Sequence, residues 1–238
     1  PGCRPAAAPA AGRGAGGRGG GGGAEGVVLR RLLGAAPAWA GAASARFGLV
    51  GGCFLVGILL LWAGSILFFR DPRRIIPKDP KALLSPADGT VTDVGEVEDP
   101  DFPGGRAFRI SIFLSIFDVH INRVPRTGRI VALRYLPGEF LDARLPRCIG
   151  CNEQMWIDLE EANPPRLLRI KQIAGAVARR IVCELRPEQR VEAGERFGMI
   201  KFGSRTEVLL PLGEPFDVAV QPGVKVKAGS SVLLRFVR

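Results

Sequence analysis

The sequence predicts a mainly β protein of the α+β type: an antiparallel sandwich or barrel-like body with a few short helices, preceded by an N-terminal hydrophobic helix or hairpin. Three observations lead there. One uncharged run, FGLVGGCFLVGILLLWAGSILFF at 47–69, stands apart from everything after it. From Arg70 onward apolar and polar residues alternate in short stretches, as in Phe108-Arg-Ile-Ser-Ile-Phe-Leu-Ser, Met155-Trp-Ile-Asp-Leu-Glu and Leu168-Arg-Ile-Lys-Gln-Ile. That period of two is the mark of a strand with one buried face. Pro and Gly clusters at 103–105, 137–138 and 222–223 separate such stretches, as turns do.

Along the chain, residues 1–26 are dominated by Gly, Ala, Pro and Arg. Such a composition cannot bury a core and predicts a disordered, low-complexity stretch. Residues 27–69 read as a membrane-anchoring segment. As one helix the run 47–69 spans ~34 Å, enough to cross a bilayer core of ~30 Å. It is apolar all round, which disfavours a core helix of a soluble protein. Its glycines at 51, 52, 57 and 64 leave a hairpin in one leaflet as the other form. Arg30, Arg31 and Arg46 precede the run and Arg70, Arg73 and Arg74 follow it, so flanking charge assigns no orientation. Residues 70–238 form the folded body. Its soluble helices are expected to be short, near 138–145 and 174–180. Val191-Glu-Ala-Gly and Val226-Lys-Ala-Gly echo one another, each beside strand-like residues.

The formal net charge is +10, which admits nucleic acid, an anionic lipid surface or an acidic small substrate as partner. Aromatic residues are only 7% and do not interleave with basic stretches, so nucleic acid is the weakest of the three. Five cysteines in a chain of this length do not make a disulfide framework. Cys148 and Cys151 have a C-x-x-C spacing but lack two further nearby ligands for zinc. They read as two reduced cysteines in or beside a loop, and no metal is assigned.

Three positions could carry chemistry. His120 is the single histidine. It follows the stretch beginning at Phe108, has an aspartate near it, and is the side chain whose ordinary pKa suits proton transfer near neutrality. Asp88, in Pro86-Ala-Asp-Gly, is either a turn aspartate or a carboxylate that orients the histidine. Ser204 follows Gly203, whose freedom in φ and ψ suits an intrachain attack on a backbone carbonyl. Taken singly, each has an ordinary structural explanation.

Their order with neighbouring segments is more specific. Phe69-Arg-Asp-Pro-Arg-Arg-Ile-Ile-Pro, Ser85-Pro-Ala-Asp-Gly, Phe117-Asp-Val-His-Ile-Asn-Arg, Asn152-Glu153, Ala174-Gly-Ala-Val-Ala-Arg-Arg and Arg196-Phe-Gly-Met-Ile-Lys-Phe-Gly-Ser-Arg occur in sequence. From the hydrophobic segment to the C-terminus the chain resembles the short, bacterial and archaeal type of phosphatidylserine decarboxylase. The resemblance implies a proenzyme in which His120, oriented by Asp88, acts as general base on Ser204. The hydroxyl attacks the Gly203 carbonyl, and elimination and hydrolysis leave a covalent pyruvoyl group at position 204. Chains 1–203 and 204–238 then stay together. The ketone captures the amine of phosphatidylserine and serves as the electron sink for loss of CO2, giving phosphatidylethanolamine. Arg179, Arg180, Lys201 and Arg205 become candidate binders of the headgroup's phosphate and carboxylate, and Asn152 and Glu153 are expected near the site. Phe202 and Arg205 replace the Leu and Thr common around the Gly-Ser bond, and Arg123 stands where longer relatives carry a second histidine. The partners implied are membrane lipid and the two cleaved chains; a homo-oligomer is compatible. The implied place is the cell membrane, with the body on the cytoplasmic side. A non-catalytic membrane-anchored β-sandwich adaptor and a decarboxylase of another serine-headed phospholipid are the alternatives.

Overall fold

The computed structural model describes residues 48, 51–162, 164–176, 180–200 and 203–237. It divides into two compact units, one ending at Leu67 and the other running from Phe68 to the C-terminus. The first contributes helix α1, Gly51–Phe68, apart from its last residue, Phe68, which belongs to the second unit; the helix is long and apolar enough to cross a membrane. The helix runs unbroken through Gly52, Gly57 and Gly64. The stretch 1–26, expected to be disordered, lies outside the described residues.

The second unit is antiparallel β, as the alternation predicts. Its strands are β1 (Ala82–Leu84), β2 (Gly89–Glu98), β3 (Arg106–Leu114), β4 (Ile121–Arg123), β5 (Gly128–Leu136), β6 (Gln154–Ala162) and β7 (Pro165–Ile173). They continue with β8 (Ile181–Cys183), β9 (Arg190–Val191), β10 (Arg196–Ile200), β11 (Ser204–Leu210), β12 (Phe216–Val218), β13 (Lys225–Val226) and β14 (Val232–Phe236). Eight form one sheet in the order β13-β2-β3-β11-β7-β6-β5-β9. Two smaller sheets, β1-β14-β12 and β4-β10-β8, complete the body.

Alternation decides which face of the large sheet is apolar. Ile110 and Ile112 of β3, Ile157 and Leu159 of β6, Leu168 and Ile170 of β7, and Val208 and Leu210 of β11 turn into one core. Each such buried side chain contributes roughly 1.5–3 kcal/mol relative to exposure. The opposite face carries Arg109, Ser111, Arg169, Lys171, Arg205 and Glu207. Arg169 pairs with Asp158, and Lys171 with Asp99. Ser111 donates to Glu207 at 2.7 Å. Strand β11 lies between β3 and β7 and is buried at every position.

One expected helix is absent. Residues 138–145 form a loop, and a bridge joins Glu139 to Asn152. Pro137, Gly138 and Pro146 interrupt any helical ladder there. The helical turn comes later, as α2, Cys148–Cys151. Of 174–180, residues 174–176 and 180 are not helical, and 177–179 lie outside the described residues. Cys148 is a buried free thiol, and burial pushes its pKa up. Cys151 is disulfide-bonded, so the expectation of two reduced thiols holds for Cys148 alone. The two echoed turns meet: a Cβ on Gly229 would stand 3.4 Å from the Cα of Gly194.

Candidate active site

One end of the large sheet gathers the candidate residues. Thr90 near the start of β2 pairs with Phe113, and Leu114 at the end of β3 pairs with Ser204 at the start of β11. Ile173, the end of β7, pairs with Arg205 and with Gln154, the start of β6. Asp88, the 115–119 loop leading to His120, Gly203, the 174–176 segment and Asn152-Glu153 therefore all emerge at the same strand ends. Antiparallel pairing brings together starts and ends of strands that are far apart in sequence.

A second constraint fixes the histidine. The small sheet pairs Ile121 of β4 with Met199 of β10, and the Ile200 amide donates to the His120 carbonyl at 3.4 Å. Two connections thus bridge the same pair of sheets: 115–119 joins Leu114 to His120, and 201–203 joins Ile200 to Ser204. Four residue steps from Ile200 to Ser204 span at most ~14 Å. His120 and Ser204 are held at either side of that short bridge.

His120 is fully buried, and its Nδ1 lies 2.8 Å from the Asp118 carbonyl oxygen. A carbonyl only accepts, so Nδ1 carries the proton and Nε2 presents its lone pair. Nε2 has no hydrogen-bond partner. Burial lowers the pKa of His120; the Asp118 carbonyl and carboxylate oppose the shift, and the Arg70 charge adds to it. The imidazole is thus kept neutral, as a base must be. The Phe68 ring covers it, with centroids 4.2 Å apart.

Ser204 is equally buried, and its Oγ also has no partner. Gly203 before it sits at φ +62°, a left-handed conformation that suits glycine. Its carbonyl packs against the backbone of Gly175, where an added Cβ would stand 1.9 Å from the Gly203 oxygen. No side chain fits at 175 while that carbonyl keeps its place. Asn152 holds the segment: its Nδ2 donates to the carbonyls of Leu141 and Ala174 at 2.8 and 2.7 Å, and its Oδ1 accepts from the Leu141 amide at 2.9 Å. Glu153 contributes its backbone, accepting from the Ala174 amide at 2.9 Å. Burial, followed by the Glu153 carboxylate, raises the pKa of the Tyr135 phenol.

Asp88 is placed at this end but is not bonded to His120. Its carboxylate accepts from Arg74 at 2.9 and 2.8 Å and from the Ala228 amide at 2.8 Å. The Asp118 carbonyl, rather than Asp88, orients the imidazole. Arg205 differs from expectation too. It follows Ser204 in a strand, so its side chain points to the opposite face. There its Nε donates to the Ala143 carbonyl at 3.0 Å, and the group is buried, out of reach of a headgroup above Ser204. Arg180 is exposed and precedes Ile181, the partner of Ile200. Arg179 and Lys201 lie outside the described residues. Arg123 is committed to Asp71 at 2.6 Å and to the Gly194 carbonyl at 2.8 Å.

A family model described as phosphatidylserine decarboxylase matches residues 63–234, a span that contains every one of these positions. This chain belongs to the phosphatidylserine decarboxylase family. It is 45% identical over 183 residues to the phosphatidylserine decarboxylase proenzyme of Rhodopirellula baltica, covering 76% of this chain and 73% of that one. The proenzyme of Desulfotalea psychrophila is 42% identical over 175 residues, covering 74% of this chain and 80% of its own. That of Carboxydothermus hydrogenoformans is 45% identical over 184 residues, covering 76% and 85%. As a member of the phosphatidylserine decarboxylase family the chain is a decarboxylase.

Several residues around the decarboxylase site were not singled out by sequence. Asn122 donates to Thr206 Oγ1 and the Pro86 carbonyl at 3.4 and 3.2 Å, and accepts from Gln172 at 2.9 Å. This network adjoins Ser204, on whose face of β11 Thr206 lies. Arg74, Phe68 and Gly175 were equally unassigned, although each stands in or directly beside a segment that carries the family resemblance.

Proposed function

We propose that the chain cuts its own Gly203–Ser204 bond, converts Ser204 into a pyruvoyl group and uses it to decarboxylate phosphatidylserine to phosphatidylethanolamine at the cytoplasmic side of the cell membrane. The observation that carries this reading is a pair of complementary orphans. Ser204 Oγ has a proton to give and His120 Nε2 a lone pair to take it, and both are buried without partners. An unmade hydrogen bond of this kind costs about 1–3 kcal/mol. A site that keeps two of them at one sheet end is arranged for reaction. The two atoms are not bonded to one another in the resting chain, and catalytic contacts commonly tighten only as reaction begins.

In the first step His120 Nε2 takes the Ser204 hydroxyl proton while Oγ adds to the Gly203 carbonyl carbon. Gly175, pinned through Ala174 and Asn152, holds that carbonyl in place. The Ser204 nitrogen leaves with the proton from His120, and the peptide bond becomes an ester. Loss of the Ser204 Cα proton breaks the Cβ–Oγ bond and expels the Gly203 carboxylate, which keeps Oγ, and position 204 is left as dehydroalanine. Water then replaces the nitrogen, which departs as ammonia. The pyruvoyl ketone so formed supplies the electron sink that decarboxylation of an amino acid needs. His120 Nε2, through the same lone pair, then holds the proton that the product's carbon receives. Arg180, which is exposed and precedes the partner strand of β10, supplies positive charge for the phosphate and carboxylate.

The cut leaves the sheet intact. The shorter chain, 204–238, contributes β11 between β3 and β7, β13 beside β2, and β14 beside β1. With β11 buried at all positions, the two chains remain one body. Helix α1 suits an enzyme whose substrate is a bilayer lipid, because it keeps the site at the interface.

Ser204→Ala provides the test. The variant should run as one chain on a denaturing gel and release no CO2 from phosphatidylserine, with its melting temperature retained. Cleavage after Gly203 in that variant would overturn the reading.

A further inference from the structure

At the Ser204 end of the body, apolar side chains face solvent on built turns. Phe117 is 79% exposed and Ile116 50%, yet the turn that carries them is firmly made. Ser115 N donates to Asp118 at 2.8 Å, Phe117 N donates to Ser115 Oγ at 3.2 Å, and Arg70 donates to the Phe117 carbonyl at 2.6 Å. Leu145 is 51% exposed on a second turn, where Asp142 accepts from the backbone amides of Arg144 and Leu145 at 2.9 and 3.0 Å. Both turns flank the site. Leu114, just before the first, pairs with Ser204, and Ala143, just before Arg144, accepts from Arg205. The exposed charges nearby are mainly basic. Arg147 and Arg180 are exposed; Arg144 and Asp142 form an exposed ion pair that adds no net charge, Asp118 is turned inward to Ser115, and Glu139 is the exposed acid of the longer loop.

We infer that Ile116, Phe117 and Leu145, with Arg70, Arg147 and Arg180 around them, form a docking surface that inserts into the headgroup region of an anionic lipid bilayer. The inference rests on the proposed lipid substrate and extends it from anchoring to orientation. Apolar tips rimmed by arginine match the layered chemistry of a bilayer surface, with apolar burial below and phosphate at the level of the guanidinium groups. The apolar helix that precedes this body in the sequence favours a membrane over a protein partner. Arg70, which holds the Phe117 carbonyl, stands two residues after the last residue of α1. Seated this way, the tips bring the strand ends around Ser204 down onto the headgroups, so a lipid need not leave the bilayer to reach position 204.

The test uses the full chain with Ile116→Ser, Phe117→Ser and Leu145→Ser combined. Self-cleavage and turnover of a short-chain, monomeric phosphatidylserine should stay within about twofold of wild type. Turnover of long-chain phosphatidylserine in reconstituted vesicles containing phosphatidylglycerol should fall about tenfold or more, since losing 1.4 kcal/mol of surface attachment is already tenfold. An equal loss on both substrates, or no loss on vesicles, overturns the docking surface. Phe117→Trp, placed in the Ser204→Ala chain, reads insertion without any turnover. Lipids brominated just below the headgroup should quench its emission beyond that of the parent chain, and equal quenching overturns the inference. An uncut wild-type chain counts against the cleavage reading alone.

Discussion

Strands β6 and β7 run between two buried polar clusters that obey opposite rules. At one end Arg166, 4% exposed, donates to Glu161 at 2.6 Å and to Glu214, and lies 3.4 Å over the Phe236 ring. Arg126 takes the other Glu161 oxygen and the Ala82 carbonyl. Both oxygens of Glu161 are thus engaged. At the other end, seven residues and ~23 Å along β7, sits the Ser204 site. There Ser204 Oγ and His120 Nε2 are buried without partners. The same sheet therefore closes one end with paired charge and leaves the other with unmade bonds. The first arrangement holds a structure, and the second keeps a hydroxyl and a lone pair available. The proposed self-cleavage needs the second, and under that proposal a body that stays whole after the cut needs the first.

The sharpest way to break this comparison is to exchange the readouts. His120→Ala should slow self-cleavage by about 10²–10⁴-fold, the usual worth of a positioned acid–base group, with little change in melting temperature. A gel time course and a thermal melt decide this; an unaltered cleavage rate removes His120 from the reaction. Arg166→Leu should do the reverse. Leaving Glu161 and Glu214 without this partner should destabilise the body by about 3–5 kcal/mol in a denaturant titration, while cleavage still goes to completion at low temperature.

Smaller changes sharpen the picture. Gly175→Ala should slow cleavage by roughly 10²-fold, because moving the attacked carbonyl by about 1 Å costs that much. Gly64→Ala, in the helix, should leave the rate alone; equal rates for the two variants would deny Gly175 its positioning role. The pH dependence is the mildest effect. His120 titrates below its ordinary value because it is buried, and the neutral form is the base. Cleavage should therefore rise with pH through that lowered value and be level by neutrality. The unfolded chain binds the proton at higher pH than the folded one, so stability falls as pH drops below about 6.5 toward the folded value. A rate still climbing above pH 7 would contradict a neutral imidazole.

Much of the frame was legible because β3, β6 and β7 each turn one clean apolar face inward. Strand β11 was not, although it lies at the centre of the sheet. Arg205 was expected to bind the headgroup, yet it is buried with Glu207 on the charged face beside Arg109 and Ser111. Partners supplied by distant strands make that burial affordable, and no local pattern encodes them. The same holds for Asp88: a carboxylate near a histidine in the family's order implied an orienting pair, while Arg74 and the Ala228 amide take its oxygens. The helix expected near 138–145 yielded to Pro137, Gly138 and the Asn152 clamp. Ser204 and His120 were legible from the resemblance, and their lack of partners only from the fold.

The central claim is tested most directly by intact-mass analysis of the purified, active protein. The account predicts two chains, 1–203 and 204–238, the shorter beginning with a ketone in place of an amine and therefore blocked to N-terminal sequencing. A single chain of 238 residues with an unmodified Ser204, in material that releases CO2 from phosphatidylserine, would contradict it.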